Sequence, residues 1–325
     1  MLVIQTDSYN ELLCITWKHS LPRTPPDAPV SVRIAKVRRG LVLRANSLLI
    51  TMYGDAIAPR RQSVWLGSLV QLADLFGLSA RLVRTSAYRL TADDWFVATR
   101  AGRRSYYGLS DVGRMRVQHA DRRIYEFKLP AWDGRWTIVI PDARLRASAR
   151  QHLKRELLWE SFGQLSPNVF AHPHVDLRSL REIVKASESE DQVAVLGAQS
   201  LASFSAKPLH SIMHDTFHLS RVEQAWKQFI PRFAPVLAEL DQLTPAEAFF
   251  VRTLLIHEYR RVLLRDPNLP EAFLPAGWPG THARQLCEAL YRGVLERSEQ
   301  FLQGRVETSD GPLAETPAEI TRRLV

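Results

Sequence analysis

Cysteine is scarce in this sequence. Cys14 and Cys287 are its two cysteines, far apart and outside any CxxC or Cys/His spacing. Disulfide frameworks and structural zinc sites need clustered ligands, so the sequence indicates neither. No apolar run reaches the roughly 18 residues of a membrane span, and the first residues lack the basic start and apolar core of a signal peptide. We therefore expect a cytoplasmic protein with no membrane partner.

Catalytic motifs are also lacking. There is no P-loop and no GxSxG motif. His257-Glu258 begins like an HExxH motif, but Arg261 stands where the second zinc ligand would have to be. His210, His214 and His218 recur every four residues, so on a continuous helix they would share a face able to bind a transition metal; the alternative, which we favour, is a polar interdomain surface. The sequence predicts no catalytic residue, no metal site and no cofactor, and hence no enzyme.

Charge is distributed unevenly along the chain. Residues 31–125 contain 17 Lys and Arg against 6 Asp and Glu, whereas residues 126–325 contain 24 against 25. The formal net charge of +9 therefore arises in the first region. A localised excess of cations favours a polyanionic partner such as nucleic acid.

Residues 64–107 have the pattern of a DNA-reading element. Gly77 ends one predicted helix, and Ser79 is suited to cap a second over residues 80–91, buried through Leu82, Val83, Ala87 and Leu90. Apolar runs at 95–99 and 105–109 predict a hairpin with a basic tip. The alternative is a small domain whose basic face is merely solvated. The predicted DNA contacts are Arg81, Arg84, Thr85, Tyr88 and Arg89 on the second helix, with Arg100, Arg103 and Arg104 on the hairpin.

The pattern changes after residue 125. Predicted strands at 136–140, 165–171 and 192–198 alternate with helices at 143–162 and 176–186, which favours a ferredoxin-like domain with a fourth strand near 201–204. Beyond residue 214 the pattern is helical, with helices at 220–238, 245–264 and 281–302. A capping box at Thr244–Glu247 marks the start of the second of these.

Several stretches resemble the PaaX family of transcriptional repressors of phenylacetate catabolism. They are SVWLGSLVQL (63–72), RLVRTSAYRL (81–90), GRRSYYGLSDVG (102–113), PAWDGRW (130–136), LLIHEYRRVLLRDPNLP (254–270) and THARQLC (281–287). The resemblance implies a homodimer on palindromic double-stranded operator DNA, released by phenylacetyl-CoA. The first forty residues have no recognised counterpart in the family.

The resemblance also implies an α+β multidomain fold. Its parts would be an N-terminal extension (1–40, disordered), a winged helix-turn-helix DNA-binding domain (41–125), a ferredoxin-like, Cas2-like domain (130–206), an all-helical C-terminal effector and dimerisation domain (210–304) and a frayed tail (305–325). Cas2 nucleases carry an aspartate at the end of the first strand, whereas here Pro141 precedes Asp142. Nuclease activity is therefore not expected.

An acyl-CoA effector needs cations for its phosphates and an apolar slot for its aryl group. The segment 254–287 offers both around a proline-constrained loop, although its arginines could instead pair with surface acids. The predicted effector residues are His257, Arg260, Arg261, Trp278, His282 and Arg284. The alternatives are a regulator of another aryl-CoA, a nuclease-like or metal-dependent enzyme using the middle domain, and an RNA-binding module, which would need exposed aromatics on a sheet.

Overall fold

The computed structural model describes residues 32–127, 131–201, 210–318, 320 and 323. The predicted disorder of residues 1–31 lies outside this range. The first part of the fold contains α1 (Val32–Arg38), α2 (Ala45–Met52), a π turn (Tyr53–Ile57) with a 3-10 turn (Ala58–Arg60), β1 (Val64–Trp65), α3 (Leu66–Asp74), α4 (Ala80–Ala92), β2 (Phe96–Ala101), β3 (Arg104–Leu109) and α5 (Asp111–Ile124). Leu48, Leu49 and Met52 of α2 are buried.

The middle part is a four-stranded antiparallel sheet with helices. It comprises β4 (Arg135–Pro141), α6 (Ala147–Trp159), β5 (Gly163–Ser166), β6 (Val169–His172), α7 (Leu177–Ala186) and β7 (Val193–Gln199), in the strand order β5-β6-β4-β7. Element order and strand order are those of a ferredoxin-like fold. The predicted single strand 165–171 is wrong, because a turn after Ser166 divides it into the hairpin β5-β6. That hairpin supplies the fourth strand, so the predicted one near 201–204 is not needed; Leu201 is not in a strand, and 202–204 lie outside the described residues.

The last part is mainly helical. It contains helical residues 210–216 (α8), α9 (Leu219–Phe233), a 3-10 segment (Ala234–Gln242), α10 (Pro245–Leu263), a 3-10 turn (Glu271–Phe273), α11 (Pro279–Gln303), β8 (Glu307–Thr308) and β9 (Gly311–Pro312). The capping box at Thr244 and Glu247 is confirmed. His218 has a φ of +50° and ends the helical run before α9, so the three histidines do not lie on one helix as the metal hypothesis required.

One hydrophobic core joins the first and last parts. The ring of Phe76, after α3, stacks on Phe250 of α10 with centroids 5.0 Å apart and planes 11° apart. Residues from α1 to α5 and from α9 to α11 belong to the same buried cluster. Since α10 lies between α2 and α11, it is buried on nearly every side. The predicted DNA-binding and C-terminal regions therefore do not have separate cores.

Both predicted flexible ends are partly structured. The disorder predicted for residues 1–40 is wrong for α1, because its apolar Ile34 and Val37 are spaced to pack against α9 and α10 and are buried. The frayed tail predicted for 305–325 is also wrong for residues 305–313. Thr308 of β8 pairs with Val64 of β1, giving an antiparallel sheet of order β2-β3-β1-β8-β9, and Leu313 is buried.

The predicted packing residue Leu82 and two further apolar residues face solvent instead. Leu82 is 43% exposed, and Val112 and Met115 of α5 are also exposed, because other positions of these helices face the core. No helix in the described part of the chain is both long and apolar enough to cross a membrane. Across the same residues, no group of three or more His, Cys, Asp or Glu side chains could hold a metal ion.

Candidate nucleic-acid interface

The turn between α3 and α4 is built from three residues of different character. Gly77 has a φ of +69°, a left-handed conformation that favours glycine. Leu78 is buried at the corner, and the hydroxyl of Ser79 accepts a hydrogen bond from the Leu82 amide at 3.3 Å. This N-cap satisfies a free donor of the first turn. It fixes the start of α4, whose Val83 and Leu90 enter the core.

The opposite face of α4 is directed to solvent. All five predicted contact residues on this helix are exposed, and Tyr88 is 73% exposed. The Thr85 hydroxyl donates to the carbonyl of Arg81 at 3.0 Å, so in the absence of a ligand its proton is bonded within α4. Guanidiniums, a hydroxyl and an exposed ring on one helix can contact both phosphates and base edges. The exposed residues are Arg81, Arg84, Thr85, Tyr88 and Arg89.

The hairpin has a two-residue turn, Gly102-Arg103. The strands pair in register from Phe96 opposite Leu109 to Ala101 opposite Arg104. Arg100 and Arg103 are exposed. Arg104 differs from them, because it forms an ion pair with Glu307 of β8 and its guanidinium lies 4.7 Å from the centre of the Trp65 ring. It therefore anchors the hairpin to β1 and β8.

A buried carboxylate holds this region against the C-terminal helices. Oδ2 of Asp55 lies 2.6 Å from Nε of Arg252, and its Oδ1 accepts hydrogen bonds from the hydroxyls of Tyr125 at 2.5 Å and Tyr291 at 2.8 Å. Arg323 lies 3.3 Å from the same oxygen. Burial alone would raise the pKa of Asp55, but these guanidiniums and hydroxyls hold it below its usual value.

Sequence reasoning missed this cluster. None of its residues was among the predicted site residues. The sequence contained one signal for it, because a single charged residue interrupts each of two apolar stretches. Asp55 interrupts residues 48–57, and Arg252 interrupts residues 248–256. Charged residues are rarely buried unless they are paired, so two such interruptions suggest a pair.

The α5 helix connects the same region to the middle sheet. Arg123 donates to the carbonyl of Trp159 at 3.0 Å and to the hydroxyl of Ser161 at 2.7 Å. His119 pairs with Glu160, a carboxyl whose pKa is raised, chiefly by burial. The end of α6 is thereby fixed to the helix that follows the hairpin.

The six predicted effector residues do not converge on one cavity. Nδ1 of His257 lies 2.9 Å from the hydroxyl of Thr51, and Arg260 donates to the carbonyl of Ser47 at 2.9 Å, so both fix α10 to α2. Burial lowers the pKa of His257 to about 3, which keeps it neutral.

The other four occupy different surroundings. Arg261 lines a cavity between α9 and α10, whereas Trp278 and Arg284 line another near the middle sheet. Arg284 is buried and donates to the side chain of Asn268. His282 is exposed at the start of α11.

Comparison with known proteins identifies the family. Residues 44–113 match the family described as PaaX-like protein, residues 129–209 the PaaX protein central Cas2-like domain, and residues 217–304 the PaaX-like protein C-terminal domain. The chain is 38% identical to the transcriptional repressor PaaX of Escherichia coli strain K12 over 272 residues, covering 82% of this chain and 86% of the relative. An uncharacterized protein, Rv0674, from Mycobacterium tuberculosis shares 24% identity over 72% of this chain and 90% of its own, with a TM-score of 0.44. With three matched segments and an identity of this extent, the chain belongs to the PaaX family and contains that family's central Cas2-like domain.

Proposed function

We propose that this protein is a DNA-binding transcriptional repressor of a phenylacetate catabolic operon. The observation that carries the proposal is the exposed face of α4, where arginines flank an unpacked tyrosine beside a basic hairpin tip. Helix, tight turn, helix and hairpin then act as a winged helix-turn-helix. The name of the Escherichia coli relative, a transcriptional repressor, supports the assignment.

In this proposal α4 enters the major groove. Arg84, Thr85 and Tyr88 contact base edges, while Arg100 and Arg103 on the hairpin hold phosphates or the adjacent minor groove. Two copies bind a palindrome as a homodimer, since twofold protein symmetry matches twofold operator symmetry. The C-terminal helices serve effector binding and dimerisation. Because its partner is operator DNA, the protein acts in the cytoplasm in this proposal.

Phenylacetyl-CoA is the proposed effector, and it releases the operator. A ligand shifts an equilibrium only if it binds one arrangement more tightly than the other. The shared core and the contact between Asp55 and Arg252 support transmission, because α10 cannot move without displacing the residues it packs against in the first part of the fold.

The nuclease alternative receives no support from the middle sheet. Asp142, which follows β4, has its carboxylate engaged by Arg144, whose Nη2 lies 3.0 Å from Oδ2. The guanidinium and the amide of that residue hold the pKa of Asp142 near 2. Among the described residues, no group of three or more His, Cys, Asp or Glu side chains could hold a metal ion. We therefore propose no enzymatic activity.

Operator titration tests the proposal. Arg84→Ala should weaken operator binding by about 1–3 kcal/mol and relax specificity at one base position. Arg181→Ala, on the exposed side of α7, is the matched control and should bind as wild type does. Addition of phenylacetyl-CoA should dissociate the wild-type complex. Wild-type affinity in the Arg84 variant would remove α4 from the interface, whereas release by another aryl-CoA alone would change only the effector.

A further inference from the structure

A cavity of about 560 Å³ lies where three segments of the chain meet. It is bounded by α9, by α10 and by the residues that join α1 to α2. Much of its lining is apolar, and its size is within the range of small-molecule sites. The apolar lining residues are Leu41, Val42, Phe217, Val222, Phe229 and Val262.

The charged side chains around this cavity are mostly cations. Four arginines and His218 line it, against Glu258 as the one carboxylate among the described lining residues. Glu258 is engaged by Arg261 at 2.9 Å. Residues 126–325 hold almost equal numbers of cationic and anionic side chains, so average composition does not explain this concentration. The four are Arg221, Arg232, Arg261 and Arg265.

Two of these arginines are available for a ligand. Within the described part of the chain, the side chains of Arg221 and Arg265 make no hydrogen bond or ion pair, and both are exposed at the cavity. Unpaired guanidiniums beside an apolar surface suit a ligand that combines phosphates with a hydrophobic group.

Resting on the function proposed above, we propose that this cavity binds the acyl-coenzyme A effector. The phosphates contact Arg221 and Arg265, and the acyl part lies against the apolar wall formed by Phe217, Val222 and Phe229. Two larger cavities suit a polyanion less well. Asp266 and Glu271 line the one of about 800 Å³. The one of about 680 Å³ is lined by four carboxylates, those of Asp121, Glu126, Glu160 and Asp176.

The cavity is also connected to the DNA-reading element. Nη1 of Arg232 donates to the carbonyls of Val37 at 2.8 Å and Arg39 at 2.7 Å, at the end of α1. The neighbouring Arg38 reaches the turn before α4, since a methyl group placed on Gly77 would meet its Nη1 at 2.9 Å. A bound phosphate competes for Arg232, weakens its hold on α1 and thereby disturbs the support of that turn.

Ligand titration of the full-length protein by calorimetry tests this site. The double variant Arg221→Glu/Arg265→Glu should bind phenylacetyl-CoA roughly a hundredfold more weakly than wild type, or weaker still, as expected for the loss of two charge-assisted hydrogen bonds. Arg181→Glu/Lys185→Glu makes the same total charge change at two exposed positions of α7 and should bind as wild type does. Coenzyme A should retain part of the affinity, and phenylacetate little of it.

Glu258→Gln provides a change in the opposite direction. It removes the carboxylate that engages Arg261, so phenylacetyl-CoA should bind several-fold more tightly. Each variant is also titrated with operator alone. The release of operator by phenylacetyl-CoA is then expressed relative to that variant's own affinity for operator. Unchanged ligand affinity in both the double variant and Glu258→Gln would overturn the site while leaving the effector intact. If wild type bound operator but no coenzyme A compound, both the site and the proposed effector would be overturned, leaving DNA binding in place.

Discussion

Nε of Arg252 lies 2.6 Å from Oδ2 of Asp55, although 197 positions separate the two residues and neither side chain is more than 4% exposed. A second contact joins the same guanidinium to Glu299 at 2.5 Å, and Glu299 also pairs with Arg60. Two carboxylates and two guanidiniums thus alternate across the boundary between α10, α11 and the turns after α2. Such a group tolerates removal of a matched pair better than removal of one member.

Arg252→Met should destabilise the protein by about 3–5 kcal/mol, because it leaves Asp55 and Glu299 buried without their shared partner. Denaturant unfolding measures this. Lys227→Ala removes an exposed pair with Glu223 and should cost less than about 1 kcal/mol. Adding Asp55→Asn to Arg252→Met should recover part of the loss. Strictly additive losses would show that the two side chains do not depend on each other.

Phe76→Ala should cost about 3–5 kcal/mol, since the ring is fully buried and stacks on Phe250. Because this contact crosses from α3 to α10, the loss should lower the stability of the whole shared core. In a denaturant titration of the variant, tryptophan fluorescence and operator binding should therefore change together in one transition, at a lower denaturant concentration than in wild type. Loss of operator binding well before the fluorescence change would mean that the DNA-reading part unfolds independently.

Arg103→Ala and Arg104→Ala should behave differently despite being neighbours. Arg103 is exposed at the hairpin turn, so its loss should weaken binding to all DNA sequences and reduce the salt slope by about 1. Arg104 is engaged by Glu307 and Trp65, so its loss should leave that slope unchanged and cost up to about 1 kcal/mol of stability. Operator titrations across a salt series distinguish them, and equal slopes for the two variants would contradict the assignment.

Stability should decline below neutral pH partly because of His257. Burial, with the nearby Arg260 and Arg261, lowers its pKa to about 3 in the folded protein, against about 6.5 in an unfolded chain. Protons then bind the unfolded state preferentially, so the contribution of His257 is complete above pH 6.5 and is lost as the pH falls towards 3. At pH 5 the loss is about 2 kcal/mol.

His257→Asn is the matched variant, because its amide can still pair with Thr51 while losing the titration. Its free energy of unfolding should fall less between pH 7 and pH 5 than that of wild type. Asp121, whose pKa burial raises to about 6, acts in the opposite sense and is present in both proteins. Parallel pH profiles would show that His257 does not titrate as described.

Local pattern predicted the turn between α3 and α4 and the exposed face of α4. Gly77, Ser79 and the alternation of apolar and basic residues in α4 act over a few positions, so the sequence shows them directly. What the sequence could not show was how distant segments combine. The residues around Arg104 do not predict its pairing with Glu307, and those around His257 do not predict its contact with Thr51. Both pairs form only when the C-terminal part of the chain packs against the first part. The effector residues were therefore grouped by proximity along the chain, whereas folding divides them among different surroundings.

Completion of the sheet by β8 has a consequence for synthesis. Residues of α4 leave the ribosome early. The strand that pairs with β1 follows more than 150 residues later, and so do Arg252 and Arg323, the two cations that neutralise Asp55. Until they emerge, Asp55 cannot be buried beside a countercharge, and an edge of the hairpin sheet is open. The nascent chain thus exposes the arginines of α4 long before it can hold them in position. The proposed operator recognition would therefore require synthesis to have passed β8.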